Sequence, residues 1–530
     1  MRYSRMTVVL SVLLLSAIPA PGQAPVPQPR LGMNLAGLAD WNTELPFVDV
    51  FRLARSWISQ REGAAWGKGP PLRLDEHGWI RELEPGCFAE TPLCTIEGGH
   101  YPSGRYTLLY EGEGEINLVH AARVAERRPG RLLVDVDAGK GGFFLQIRRT
   151  DPRNPIRNIR MIMPGFEDSY RREPFHPAFL KRWRGVACFR FMDWMDTNGS
   201  KIVKWEDRPR MEDATWTVKG APVEILVDLC NRQRADGWFC MPHAADDEYI
   251  RNFARYVKEH LDPGLRAYVE YSNEVWNSLF EANRYAARKA GELKLGDPAR
   301  PWEGACLYYA RRSVEIFDLW EGAFGGKDRL VRVLAWQAAG GPYWLDGMLL
   351  ARIDATKVDA LAIAPYLSFM PRGQPDGKDA LTAATVSTWT VDQVMEHCRT
   401  RALPECTRWM REAATVAGKY GVRLLCYEAG QHLVGVAGGE NNEKLTKLFT
   451  QANTSPAMGE LYGQYYRAWE AAGGDLLNHF SSVAKASKWG SWGLAEYYDQ
   501  GPQDAPKLKA TLEWARSRGQ KVSLMDQPAR

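Results

Sequence analysis

The sequence lacks the features that would direct it to nucleic acid, to a membrane or to a metal ion. Its 68 Lys and Arg are nearly balanced by 64 Asp and Glu, and the formal net charge of +4 comes with no long basic block. This balance argues against nucleic acid or an anionic membrane surface as the main partner. No segment after the N-terminus is apolar enough to span a bilayer, and none of the nine Cys belongs to a metal-binding cluster. The sequence therefore predicts no metal site.

The first 24 residues predict a cleaved secretion signal. Two arginines precede an apolar run from about Thr7 to Ile18, and small residues follow, with Ala20 or Ala24 as the expected cleavage site. The run is too short for the hydrocarbon core of a bilayer, which favours a signal over the alternative of an uncleaved anchor. We expect a secreted or periplasmic protein that has no membrane contact after cleavage.

The chain has nine cysteines, an odd number. Cys87 and Cys94, and likewise Cys398 and Cys406, are close enough in sequence to form disulfides in an oxidising compartment. The others lie in apolar runs and are expected to be buried thiols: Cys188, Cys230, Cys240, Cys306 and Cys426. The sequence leaves the pairing open.

Eight short apolar runs predict the strands of an α/β barrel. They are PRLGMNLAG, VACFRFMDWM, GWFCMPH, RAYVEYSNE, LVRVLAWQ, VDALAIAPYL, VRLLCYEAG and DLLNHFSSV. The runs are continuous rather than alternating, as expected of strands buried on both faces. Helical patterns lie between them, for example over 247–260, 304–324, 409–420 and 460–472, and ELPFVDVFRLA after the first run could also be helical. This order predicts a (β/α)8 barrel. The alternative, a doubly wound open sheet, lacks a glycine-rich phosphate loop after the first strand.

One region, residues 58–167, interrupts this alternation. Its apolar runs, such as GRYTLLYEGEGEINLV and GGFFLQIRRT, are short and separated by Gly, Pro and Asp, as in an antiparallel sandwich. We predict an inserted β-domain between the first and second barrel strands, with residues 25–57 forming the first strand and helix and 168–520 the rest of the barrel. The β-domain either binds carbohydrate or forms a wall of the cleft.

Two glutamates stand where a barrel places its reacting groups, at the C-terminal ends of strands. Glu274 follows the fourth run and Glu428 ends the seventh. Glycoside hydrolysis needs such a pair, one carboxyl to protonate the leaving oxygen and the other to attack the anomeric carbon or activate water. The triplet Ser272-Asn273-Glu274 also has a purely structural interpretation, because Ser272 or Asn273 could cap a helix over 275–291. Glu428 could equally be a cap or a salt-bridge partner.

The strand-end motifs GMNLAG, FRFMDWM, MPH, EYSNEVWN and YEAGQHL resemble glycoside hydrolase clan A, and within it the cellulase-like family 5 group and its unclassified bacterial relatives. The resemblance covers the barrel but not the β-domain. It implies that Glu274 is the general acid/base and Glu428 the nucleophile, and that Asn273 binds the sugar 2-hydroxyl. Arg190 matches the strand-end Arg that holds the nucleophile. Its structural alternative is an ion pair with Asp193 or Asp196.

The resemblance also implies a set of substrate-binding residues. His243 matches the third-strand His that lines the sugar site, although a lone His is as often structural. Tyr366 matches the sixth-strand Tyr that contacts the nucleophile, although a core role is the alternative. Trp489 or Trp492 would form the sugar platform. Three further residues are candidates to line the cleft: Asn34, Asp193 and His432.

These residues predict an exported retaining β-glycosidase that acts on a β-linked polysaccharide or oligosaccharide. It would need no cofactor, because two carboxylates supply both the proton and the nucleophile. The abundance of aromatic residues, with 20 Trp and 21 Tyr, suits sugar stacking as well as large cores. The alternatives are a non-catalytic carbohydrate-binding protein on a barrel scaffold and a transglycosylase with the same pair. Two departures from the family pattern, the insertion and the residues Ala364 and Pro365 before Tyr366, put the substrate in doubt more than the chemistry. The sugar, the linkage, endo or exo attack and the oligomeric state stay open.

Overall fold

Eight parallel strands close into a barrel in the structure of the chain, a computed structural model that describes residues 28–369, 381–436 and 438–523. The strands, in chain order, are β1 (Arg30–Asn34), β2 (Ile58–Arg61), β3 (Arg73–Leu74), β4 (Ile80–Glu82), β5 (Cys87–Leu93), β6 (Gly104–Glu111), β7 (Gly114–His120), β8 (Ala122–Arg128), β9 (Arg131–Val136), β10 (Phe143–Thr150), β11 (Arg157–Ile162), β12 (Cys188–Arg190), β13 (Asp236–Met241), β14 (Ala267–Tyr271), β15 (Leu330–Trp336), β16 (Ala360–Ile363), β17 (Leu367–Ser368), β18 (Arg423–Ala429), β19 (Gln431–His432) and β20 (Leu476–His479). The α-helices are α1 (Pro177–Arg182), α2 (Val223–Gln233), α3 (Asp247–His260), α4 (Glu281–Glu292), α5 (Pro301–Phe324), α6 (Ala383–Val386), α7 (Val391–His397), α8 (Leu403–Tyr420), α9 (Glu443–Thr454), α10 (Pro456–Ala471) and α11 (Pro506–Ser517).

The barrel order is β1-β12-β13-β14-β15-β16-β18-β20, so each predicted run supplies one strand and the predicted (β/α)8 barrel is confirmed. All of these strands are parallel, and their C-terminal ends therefore share one rim. Small and aromatic side chains such as Cys240, Tyr268 and Ala362 fill the barrel interior. A larger apolar layer seals the strands against the surrounding helices.

The inserted region forms two antiparallel four-stranded sheets, β2-β5-β10-β7 and β11-β6-β9-β8. Their alternating apolar residues meet in one hydrophobic core, as the predicted sandwich requires. This β-domain follows β1, and its chain returns to the barrel at α1. The stretch after β1 that was expected to be helical contains only a short 3-10 turn, Val50–Leu53, and the first helix of the barrel therefore comes after the insertion.

The helices follow their end signals closely. Asp246 caps α3 by accepting a hydrogen bond from the Tyr249 backbone N–H, as its sequence predicts. The helices α5 and α10 begin earlier than the apolar pattern indicates, because Pro301 and Pro456 occupy their first turns, where a proline needs no hydrogen bond.

The prediction of a helix over 275–291 is wrong at its start. The helix α4 begins at Glu281, so neither Ser272 nor Asn273 can cap it. Turns fill the stretch between β14 and α4, and Ser272 and Glu274 adopt left-handed backbone conformations with φ of 60° and 42°. Such conformations are uncommon outside glycine and concentrate at functional sites.

All nine cysteines are buried and unbonded in the structure, so neither predicted candidate disulfide is formed. Cys87 and Cys94 lie at opposite ends of the extended β5, about 20 Å apart at the usual rise of a strand. Cys398 and Cys406 are eight residues apart, more than two turns along consecutive helical segments, which corresponds to about 12 Å. A disulfide needs Cα atoms within about 7 Å.

The expected secretion signal lies outside the described residues. Among the helices of the part that the structure describes, none combines the length and the apolar character needed to cross a bilayer.

Candidate active site

Arg190 is the centre of a polar cluster at the C-terminal rim of the barrel. It ends β12 and is fully buried. Its five N–H donors match five acceptors. Nε and Nη2 donate to the two oxygens of Glu270 at 3.0 and 3.1 Å, and Nη2 also donates to Asn273 Oδ1 at 2.8 Å. Nη1 donates to Glu428 Oε1 at 2.8 Å and to Asn34 Oδ1 at 3.1 Å. A guanidinium satisfied at every donor is rigid, and lysine could not replace it. The alternative pairing of Arg190 with Asp193 or Asp196 is wrong.

Glu428 lies near the end of β18 and is held at both carboxyl oxygens. Oε1 accepts from Arg190, and Oε2 accepts from the Tyr366 hydroxyl at 2.9 Å. Burial raises the pKa of Tyr366 well above its ordinary value, with the Glu428 charge acting in the same direction, so the phenol stays a donor. These two contacts orient the carboxyl group.

Glu274 projects from the left-handed turn after β14. Its Oε2 accepts from Asn277 Nδ2 at 3.0 Å, and its Oε1 faces the Tyr427 hydroxyl at 3.4 Å. Trp276 Nε1 donates to that same hydroxyl at 3.3 Å. The carboxyl group of Glu274 thus has only neutral hydrogen-bond partners, in contrast to Glu428.

This environment shifts the titration of Glu274. Burial raises the pKa of Glu274 to about 8, and repulsion from the nearby Glu428 charge adds to the effect, while the hydrogen bond from Asn277 and the charge of Arg190 oppose it. Glu274 therefore keeps its proton at neutral pH. Glu428 has the guanidinium of Arg190 beside it. One carboxyl group that holds a proton and one paired with a cation are the acid/base arrangement found in glycosidases.

Asn273 and Asn34 both hold Arg190, but they differ in what they can still do. Asn273 donates one Nδ2 proton to Asn198 Oδ1 at 3.1 Å, which leaves a second proton for a ligand. Asn34 is 2% exposed, and its Nδ2 binds the carbonyl oxygens of Tyr427 and His479 at 2.9 and 3.3 Å. Asn34 therefore positions Arg190, and its amide group has no donor left for a ligand.

An aromatic cluster borders Glu428. The Tyr366 ring packs edge-on against His432 and Trp492, with centroids 5.7 Å apart in both pairs, and His432 and Trp492 are 5.1 Å apart. Burial lowers the pKa of His432, so its ring is neutral. Trp489, in contrast, is 63% exposed, packs under Lys488 and reaches Trp492 only through its backbone carbonyl oxygen. Of the two predicted platform residues, the structure brings Trp492 to the glutamate pair.

His243 lies at the end of β13 but faces α4 rather than the glutamates. Its ring packs edge-on against Tyr285 at 5.3 Å, and burial lowers its pKa. Its Nδ1 has no hydrogen-bond partner among the described residues. Asp193 is half-buried next to the cluster, where burial raises its pKa to about 7, with a contribution from the Glu428 charge that Arg190 opposes.

Three residues of the cluster were not predicted, because the prediction considered only the residues at strand ends. Glu270 pairs with Arg190 from inside the barrel and also accepts from Trp238 Nε1 at 2.8 Å. Tyr427 lies close to both glutamates, and Asn198 accepts a hydrogen bond from Asn273. A signal existed for Glu270, because a charged residue inside the apolar run AYVEY must find a buried partner. Within the described part of the chain, no group of three or more His, Cys, Asp or Glu side chains is arranged to hold a metal ion.

No protein-family model and no curated protein matches the sequence. Solved structures do match. A GH51 arabinofuranosidase from Xanthomonas axonopodis pv. citri is 12% identical over 64% of this chain, with a TM-score of 0.40. A 4-O-alpha-L-rhamnosyl-beta-D-glucuronidase from Fusarium oxysporum 12S is 13% identical over 63%, with a TM-score of 0.39. A GH5 family lichenase from Caldicellulosiruptor sp. F32 is 12% identical over 63% of this chain and 81% of its own, with a TM-score of 0.35.

The matches span less than two thirds of the first two proteins, 65% and 62% of their lengths. GH51 and GH5 structures, which are of the kind that the sequence motifs resemble, are thus among the structural neighbours. Identities and TM-scores this low indicate neither an activity nor a substrate for this chain. Both have to be inferred from its own side chains.

Proposed function

We propose that the protein is an exported retaining glycoside hydrolase that cleaves β-linked polysaccharide or oligosaccharide by double displacement. The observation that carries the proposal is the contrast between Glu274, whose pKa is raised to about 8 by burial and the Glu428 charge, and Glu428, which is paired with Arg190. A purely carbohydrate-binding protein has no need for one protonated and one cation-paired carboxyl group at the same rim.

In the first step, Glu428 attacks the anomeric carbon while Glu274 gives its proton to the leaving oxygen, and a covalent glycosyl-enzyme forms. Arg190 and Tyr366 hold the two oxygens of Glu428 and so aim the attack. In the second step, Glu274 accepts a proton from the water that releases the sugar. The unused Nδ2 proton of Asn273 binds the 2-hydroxyl, and Trp492 stacks on the sugar ring.

A mechanism-based trap tests the nucleophile. We expect 2,4-dinitrophenyl 2-deoxy-2-fluoro-β-glycosides of glucose, mannose and xylose, used as a panel, to inactivate the enzyme with at least one sugar, because the fluorine slows release of the covalent intermediate. Peptide mass spectrometry of the inactivated protein should place the fluorosugar on Glu428. A label on any other residue would refute the assignment, and steady release of dinitrophenol with neither inactivation nor a label would refute retention.

The pH dependence tests the acid. Protonated Glu274 is the active form in the first step, so kcat/KM of the parent should fall about tenfold per pH unit above a pKa of about 8. The sign follows from the raised pKa, because the proton is retained at neutral pH and lost as the pH rises. Measured on the same unactivated β-glycoside as the parent, the residual activity of the Glu274→Gln variant should show no such alkaline decline. Glu281, a half-buried glutamate on α4 that pairs with Arg284 and Arg288, provides a control, and Glu281→Gln should keep the parental profile. An unchanged decline in Glu274→Gln would exclude Glu274 as the acid.

A further inference from the structure

A lysine that the proposed mechanism does not use is buried behind residues 481–495, the segment after β20 that carries Trp492 and is called the platform loop below. Lys507 lies in the first turn of α11 and is 5% exposed. Its Nζ donates to two neutral oxygen atoms, the Ser491 carbonyl at 2.5 Å and Asn453 Oδ1 at 3.2 Å. Burial lowers the pKa of Lys507 to about 7, and the charge of Glu496 opposes the shift only in part. A buried amine held by neutral groups costs stability, which points to another role.

The contact of Lys507 fixes the peptide group that precedes Trp492. The Ser491 carbonyl oxygen accepts from Lys507 Nζ and also from Gln431 Nε2 at 2.8 Å, so both of its lone pairs are used. The carbonyl oxygen of Trp492 itself accepts from the Ser481 backbone N–H at 3.0 Å. The backbone is therefore held on both sides of the Trp492 Cα.

Lys507 also closes a buried network that reaches the aromatic cluster beside Glu428. Asn453 accepts from Lys507, and its Nδ2 donates to Gln431 Oε1 at 3.4 Å. Gln431 is buried and directly precedes His432 in β19. One ammonium group thus connects the two backbone segments that carry His432 and Trp492.

The Trp492 side chain follows the position of this backbone. Its Nε1 donates to the Trp489 carbonyl oxygen at 2.9 Å, within the same loop. Its ring meets Tyr366 and Phe480 edge-on, each at 5.7 Å, and the residue is half-buried, which leaves part of its surface for a ligand. A shift of the Ser491 carbonyl would therefore carry the indole away from the place where a sugar ring would stack.

We propose that Lys507 is a positioning residue for the sugar platform, which holds Trp492 in place through the Ser491 carbonyl. This inference rests on the proposed function, because it concerns how the hydrolase binds its substrate. Lys507 touches neither the sugar nor the reacting atoms, and its effect belongs to substrate binding rather than to bond cleavage.

A double-mutant cycle between Lys507 and Trp492 tests the coupling, with kcat and KM measured on the β-glycoside that the parent hydrolyses best. Lys507→Met removes the ammonium group, and we expect KM to rise about tenfold while kcat stays within about threefold of the parent. Trp492→Ala should have a similar effect. Lys507→Met should add less than about twofold to it, because the platform that Lys507 positions is then gone.

Lys507→Arg tests rescue by a conservative replacement. Arginine is similar in size to lysine and again offers a charged donor to the carbonyl oxygen, and a cavity of about 30 Å³ beside Lys507 gives it room. We expect a KM within about threefold of the parental value. Lys509→Met is the matched control, because Lys509 is exposed two residues further along α11, and it should leave both constants unchanged.

Hydrogen–deuterium exchange of the full chain gives a readout that does not depend on activity. In Lys507→Met the amides of the platform loop should exchange about fivefold faster, while the rest of α11 keeps its parental rates. If the methionine variant does not fold, Lys507→Gln gives the same comparison. Its shorter side chain withdraws the donor from the carbonyl oxygen and keeps a polar group beside Asn453.

Unchanged KM and unchanged exchange in Lys507→Met would overturn the proposal, as would a KM effect that is fully additive to that of Trp492→Ala. Faster exchange throughout α11 would overturn it as well, because Lys507 would then stabilise only its own helix. A parent that hydrolyses no β-glycoside would refute the proposed function instead, and the exchange of the platform loop would still decide whether Lys507 holds it.

Discussion

The Glu428→Gln variant is expected to lose about four orders of magnitude in kcat/KM on β-glycosides, because the amide cannot form the glycosyl-enzyme. The substitution keeps the shape of the side chain. The amide oxygen can still accept from Arg190, and the amide nitrogen can donate to the Tyr366 oxygen, so the polar cluster should stay assembled. The loss should therefore appear in kcat rather than in folding, and initial rates on dinitrophenyl and unactivated substrates, together with thermal unfolding, measure both.

Glu303→Gln is a matched control for this experiment. Glu303 is also buried and paired with an arginine, Arg300, but it lies at the start of α5, away from the glutamate pair. We expect parental kcat/KM for this variant within about threefold. Comparable activity in Glu428→Gln and the parent would mean that Glu428 is structural, and the proposed double displacement would fail.

The barrel is predictable from the sequence because strands buried on both faces produce unbroken apolar runs. The positions of Glu274 and Glu428 follow from the same pattern, since any residue at the end of such a run lies on the shared rim. The β-domain strands are equally visible, because Gly, Pro and Asp separate them.

What the sequence does not predict depends on local backbone geometry and on inward-facing polar residues. The left-handed turn at Ser272 and Glu274 has no sequence signature. The helical periodicity of α4 extends back towards this turn, and the sequence therefore predicts a helix that begins too early. Glu270 is hidden inside an apolar strand, and only the structure shows that it shares Arg190 with Glu428.

The sharing of Arg190 explains why the two glutamates can have opposite tasks. The guanidinium directs its donors to Glu270, Glu428 and two amide oxygens, which leaves none for Glu274. Glu274 is instead surrounded by Asn277 and Tyr427, which are neutral donors. Burial among neutral donors, together with repulsion from the Glu428 charge, thus keeps the proton on Glu274.

Azide rescue of the Glu274→Ala variant tests this division of tasks. Without the acid, kcat/KM on unactivated β-glycosides should fall about 10³-fold, since proton transfer contributes about 10²–10⁴ to such reactions. With a dinitrophenyl substrate the first step needs no proton, so the glycosyl-enzyme accumulates and waits for a nucleophile. Azide, which needs no general base, should restore turnover and give the β-glycosyl azide.

The Glu428→Ala variant is the matched comparison, because it removes the other carboxyl group from the same rim. There azide must attack the substrate directly, and the product should be the α-glycosyl azide. Nuclear magnetic resonance of the two azides distinguishes the roles by the configuration of a single carbon. An α-azide from Glu274→Ala would reverse the assignment of acid and nucleophile, and the absence of any azide adduct from both variants would remove the two glutamates from the reaction.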